Sequence, residues 1–138
     1  MSTESPLDTA EAIRIAAFRG VIRSFLRTSE HLARSAGLTP RRYLLLLMIK
    51  GAPDGSEQST VTELSERLQL AQSTVTELVS RAEEAGLVAR EQSRADARVA
   101  HLRLSAEGER RLEAAFTELA VERSNLRESF THLDGTIG

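Results

Sequence analysis

Residues 60–105 read TVTELSERLQLAQSTVTELVSRAEEAGLVAREQSRADARVAHLRLS. Thr62 is placed to cap a short helix, with Leu64 and Leu68 as its apolar face. Gln69 to Ala71 makes a turn. A second helix follows over about Gln72 to Ala85, because Val75, Leu78, Val79 and Ala82 share one side at helical spacing. Gly86 closes it in the left-handed conformation. Leu87 to Arg90 and Val99 to Leu104 have strand character, and the polar segment Glu91 to Arg98 joins them as a loop.

Two short helices and then a two-stranded hairpin are the order of a winged helix-turn-helix. In that arrangement the second helix lies in a DNA major groove and presents its N-terminal polar residues to base edges. Here Gln72, Ser73, Thr74, Thr76, Glu77, Ser80 and Arg81 are left on the outer face once the apolar residues turn inward. Gln can bond adenine through two hydrogen bonds, Ser and Thr suit several bases, and Arg fits guanine or phosphate. Arg94 and Arg98 stand in the wing, where they could enter an adjacent narrow minor groove. Asp96, which phosphate would repel, is expected to pin one of these arginines and shape the loop.

Outward from this segment, the chain looks built to pair two copies of it. A helix capped by Asp8 or Thr9 is expected to run to about Ser35, with Gly37 beyond it. It carries one apolar stripe through Ile15, Phe18, Ile22, Phe25 and Leu32 and a second through Ile13, Ala17 and Val21. Two stripes predict a helix buried on two sides, by its own domain and by a partner subunit. Thr39 and Pro40 start a second helix ending at Lys50, whose run Tyr43 to Ile49 is apolar all round and therefore central. Gly51 to Ser56 breaks it with turn chemistry. Ser105 caps a last long helix to about Leu133, with Leu112, Phe116, Leu119, Leu126, Phe130 and Leu133 as a seam that Arg123 interrupts. Residues 1–7 are expected to be frayed. The fold class is thus mainly α (α+β) in a single domain over 1–138. Dimerisation helices span 8–36 and 105–133, and the DNA-binding lobe spans 58–104.

Composition narrows the function. The 138 residues are 41% hydrophobic but only 4% aromatic, so the core is aliphatic. The absence of cysteine removes disulfides, thiolate metal sites and thiol redox sensing. No apolar run is long enough to span a bilayer and the first residues are polar, so a cytoplasmic protein is expected. Net charge is −2, yet residues 1–51 carry +4 and residues 90–103 carry +2. Local sign decides which surface meets phosphate. His31, His101 and His132 are scattered without partners at ligand spacing, so no metal or other cofactor is expected. No Gly-rich phosphate loop, Ser-His-Asp order or apolar carboxylate pair suggests catalysis.

The stretch STVTELVSRAEEAGLVAR, then DAR and LRLSAEG, with LTPRRYLLLLMI upstream, resembles the MarR family of bacterial transcription regulators over about residues 10 to 125. The D-x-R wing motif falls on Asp96 and Arg98, and L-x-x-x-G at the last junction falls on Leu104 and Gly108. The resemblance implies a homodimer with interlocked terminal helices that binds a short pseudo-palindrome in double-stranded DNA and usually represses. It also implies release of DNA by a small phenolic or aromatic acid bound between the dimerisation region and the winged helix. Phe18, Tyr43 and Met48, with Arg14 or Arg41 for the carboxylate, are the candidate lining of such a site. Three features depart from the family pattern: Ala82-Glu83 in place of Leu-Glu, a long Gly51–Ser59 loop, and a short C-terminus. An alternative function is a winged helix that binds a protein partner, since Glu77, Glu83 and Glu84 make the second helix of the motif acidic.

Overall fold

Asp8 accepts a hydrogen bond from the Glu11 backbone N–H and so starts α1, Thr9–Ser35, in a computed structural model of the chain. The structure describes residues 8–137 and the side chains of residues 8–131. The expectation of fraying at residues 1–7 and the side chains of His132 and Leu133 therefore fall outside it. Thr39 caps α2, Pro40–Lys50, with Pro at its first position. After β1, Gln58–Ser59, come α3, Val61–Leu68, and α4, Gln72–Glu84. The hairpin β2, Val88–Gln92, and β3, Ala100–Leu104, leads into α5, Ala106–Glu118, and α6, Ala120–Ile137.

The start of α3 corrects the expected cap. Thr60, not Thr62, caps it: its hydroxyl accepts from the Glu63 N–H at 3.2 Å, and the Glu63 carboxylate accepts from the Thr60 N–H at 2.8 Å. Two backbone donors are satisfied reciprocally, which one Thr at residue 62 would not do. The third strand, β1, has only two residues and no apolar alternation to reveal it. It pairs antiparallel with β3, Gln58 opposite Arg103, so the sheet order is β1-β3-β2. Arg67 on α3 holds β1 in place by donating to Ser59 Oγ at 2.5 Å and to the Met48 carbonyl at 2.7 Å.

The core is aliphatic. Leu45, Leu46 and Ile49 of α2 meet Leu64, Val75, Val79, Ala82, Leu102, Leu112 and Ala115, all buried. Thus α2 is central, although Leu44 on the same run is exposed. Lys50 at the end of α2 ties the segment before β1 to α5: its ammonium lies 3.0 Å from both Glu57 and Glu109. These carboxylates, Glu57 first, hold it above its ordinary pKa.

Gly86, at φ +75°, makes the turn from α4 into the hairpin that an L side chain would resist. Ser105 then joins hairpin to α5. Its hydroxyl accepts from the Gly108 N–H at 3.0 Å and donates to the Gly86 carbonyl at 2.5 Å.

The long last helix is two helices. The chain breaks at Leu119, which is 1% exposed and stays in the core, while α6 turns to lie along α1. Phe130 of α6 meets Phe18 of α1 edge-on, with ring centroids 4.9 Å apart. Neither Gly nor Pro marks the break. Arg123, read from sequence as an interruption of the seam, serves the break instead. Its guanidinium lies 3.5 Å over the Phe116 ring and donates to the Phe116 carbonyl. α6 extends to Ile137, past the expected end at Leu133.

On α1 only Ser29 and Ala33 are buried. Ile13, Ile15 and Leu26 of α1, Phe116 of α5, and Val121 and Phe130 of α6 are exposed. No described helix is long and apolar enough to cross a membrane.

Candidate nucleic-acid interface

The second helix of the motif, α4, is anchored from below. Val75, Val79 and Ala82 are fully buried, and their spacing leaves Gln72, Ser73, Thr76, Ser80 and Arg81 exposed and Thr74 half-buried. The left-handed Gln69, at φ +57°, makes the turn between α3 and α4. Gln72 Nε2 lies 3.4 Å from Thr62 Oγ1 of α3, so one of the predicted base readers also touches the first helix of the motif. Whereas α1, α2, α3 and α5 have side-chain caps, Ala71 offers none to α4. The N–H groups of its first turn thus have no side-chain acceptor from the cap position.

The wing is held by its own residues. Ser93 Oγ accepts from the Ala95 and Asp96 N–H groups, at 3.2 and 3.3 Å. Asp96 accepts from the Arg98 N–H at 3.0 Å and from its Nε at 3.2 Å. Asp96 therefore shapes the loop by pinning Arg98, while the Arg98 side chain remains 91% exposed. Arg90 pairs with Glu83 and Arg103 with Glu91. Among the described residues, Arg94 is the hairpin arginine without an ionic partner, and it is exposed near the tip.

The Arg98 N–H first, and its guanidinium second, hold the Asp96 carboxyl below the usual carboxylate range. With the folded value below the unfolded one, the contribution to wing order is complete above the unfolded value. It is lost as pH falls through the folded value. NMR titration should therefore find Asp96 more acidic than an ordinary Asp. Arg98→Ala should raise it only in part, because the backbone donor remains. An ordinary midpoint in the parent chain would remove this turn from the wing.

The proposed ligand residues are spread over two settings. Phe18 packs on Phe130, and Arg14 lies half-buried on the same helix. Tyr43 is buried in the core and Met48 packs against it. Arg41 borders a surface hollow of about 220 Å³ beside α4, together with Thr74, Glu77, Leu78 and Arg81. Arg41, a candidate by sequence for a ligand carboxylate, lies next to the polar face of α4. Only the packing of α2 on α4 brings these residues together.

The fold and this face define a winged helix-turn-helix protein. Residues 36–99, which hold the motif and most of the wing, match the model of the MarR family. The chain is similar to AbsC, a MarR family transcriptional regulator from Streptomyces coelicolor. They share 20% identity with TM-score 0.72 over 96% of this chain and 93% of that one. A mutant MarR from E. coli, solved in complex with operator DNA, is 17% identical with TM-score 0.69 over 95% and 96% of the two chains. A mutant S. aureus MepR bound to an oligodeoxyribonucleotide is 18% identical with TM-score 0.65 over 88% and 91%. No curated protein matches the chain in sequence. Over its winged helix the chain thus matches the MarR family in sequence, and its whole fold is similar to that of MarR family regulators.

Proposed function

We propose that this chain is a cytoplasmic, homodimeric transcriptional regulator, without enzymatic activity, that represses from a pseudo-palindromic operator. The observation that carries the reading is the division of α4 into a fully buried apolar side and an exposed polar side, with an arginine-bearing wing built on the same lobe. On this reading Gln72, Ser73, Thr74, Thr76, Ser80 and Arg81 enter the major groove. Arg94 and Arg98 reach the flanking minor groove, and Asp96 sets the wing. The exposed apolar side chains of α1, α5 and α6 supply the dimer contact. Two motif helices held about 34 Å apart enter successive major grooves. Solved relatives carrying DNA support the same reading.

Release by a small aromatic acid is part of the proposal; Arg14 and Phe18 on α1 are its candidate contacts, while Tyr43 lies buried in the core with Met48 packed against it. Such a ligand acts only through a difference in affinity for two head spacings.

Selection of bound duplexes from a random pool tests the reading, with affinity then measured against salt. A roughly palindromic winner and a steep salt slope are expected, since each neutralised phosphate releases counterion. Arg94→Ala should weaken binding to A·T-flanked sites and lower that slope by about one. No enriched duplex and a flat salt response from folded protein would overturn the proposal in favour of a protein-binding module.

A further inference from the structure

The face of α4 that points most directly away from the core carries an acid. Glu77 stands about 160–200° round the helix from Val75 and Val79, at roughly 100° per residue. Its neighbours on that line are Ser73 and Ser80, both short and exposed. The carboxylate is open: its side chain is 65% exposed, and its ionic partner among the described residues is Arg81, at 2.8 Å one turn on. If α4 lies in a major groove, Glu77 is among the side chains nearest the bases. This inference therefore rests on the DNA-binding reading above.

An ionised carboxylate only accepts hydrogen bonds. The major-groove edge of guanine offers acceptors alone, and that of thymine an acceptor and a methyl group. Adenine pairs its N6 donor with the N7 acceptor beside it. Cytosine N4 is the donor that Asp and Glu fit. Opposite guanine or thymine, Glu77 would be desolvated against acceptors, and opposite adenine the N7 lone pair would stand beside the one donor it could use, arrangements that cost binding energy. Phosphates on either side would repel it as well.

We propose that Glu77 is a base-reading residue that requires a cytosine under the middle of α4 in each half-site. Arg81 is its positioning residue. The ion pair holds the carboxylate in one orientation, and the guanidinium offsets the repulsion of the flanking phosphates. The remaining donors of Arg81 stay available to an adjacent guanine. The pair thereby converts an unfavourable charge in a DNA interface into a condition on sequence, the logic of discrimination by repulsion as well as attraction.

Selection of bound duplexes with the full-length parent dimer, E77Q and E77A tests this. The parent should enrich one cytosine per half-site, and replacing it should lower affinity about ten-fold. E77Q should shift that position to adenine, which Gln bonds through two hydrogen bonds. E77A should lose the preference there, leave other positions unchanged and bind non-specific duplex at least as tightly. Glu77 is on the surface, so thermal melts should show all three folded. A merely helix-stabilising pair would shift the melt slightly and leave base preference untouched. If the parent enriches a sequence that E77Q and E77A share at every position, Glu77 reads no base and the inference is wrong. If the parent enriches nothing, the DNA-binding reading itself fails and takes this inference with it.

Discussion

Ile13→Asp combined with Val121→Asp should leave the chain folded, turn it into a monomer and lower operator affinity by on the order of 10²–10⁴-fold. The two side chains are 64% and 66% exposed in the single chain, so charge there is tolerated by the isolated fold. On the same set of helices Ile15, Leu26, Phe116 and Phe130 are also about half exposed, although Arg123 lies over Phe116 and Phe18 touches Phe130. Soluble monomers seldom leave so many large apolar groups exposed on neighbouring helices. A twofold partner would bury them, and its symmetry introduces each substitution twice. Carboxylates buried against hydrocarbon are expensive to desolvate. The loss of affinity follows from linkage: with two heads joined, the second half-site is bound at high effective concentration. Sedimentation against protein concentration reads the first effect and operator titration the second. A double variant that stays dimeric would place the seam elsewhere. Leu119 is unsuitable for this test. It shares the sequence periodicity of the seam but is buried in the chain's own core, so an Asp there reports on folding.

Gly108→Ala should destabilise the fold by roughly 3 kcal/mol, the upper end of the usual range for forcing a group into a filled site. A Cβ built at Gly108 would lie 2.1 Å from the Leu87 carbonyl oxygen and 3.1 Å from its carbon. Both are backbone atoms that cannot swing aside. That same carbonyl accepts from the Ser105 N–H at 2.9 Å, so moving it disturbs the junction between wing and α5. The expected loss in melting temperature is about 10 °C. A parent-like melt would mean that the first turn of α5 does not approach β2 this closely. Ala106→Gly, exposed in the same turn, is the control for a change that fills no space.

Much of the winged helix was legible in the sequence because its signals are local. Caps at Thr39 and Ser105 and left-handed glycines at 37 and 86 depend on residues a few positions apart. So does the buried periodicity of Val75, Val79 and Ala82, from which the outer face of α4 follows by helix geometry. Asp96 and Arg98 are two positions apart, so their pairing could be anticipated as well. Other features are non-local. β1 exists because β3 offers an edge and Arg67 reaches across from α3. Arg41 joins Thr74, Glu77 and Arg81 only because α2 lies beside α4. Glu77 was visible as an outer residue, but its place at the centre of that face needed the burial of its neighbours.

Local signals in the chain sufficed for the order of elements, the ends of most helices and which side of α4 faces away from the core. Each of these is set by backbone hydrogen bonding and side-chain period within one or two turns. The break of the final helix at Leu119 came instead from packing, because no residue there breaks helices. The break falls between Leu119, buried in the core, and the contact of Phe130 with Phe18. Packing likewise decided which apolar residues complete this chain's core and which remain exposed. A hydrophobic period records that a side chain is to be buried, while the packing of the other helices determines against what.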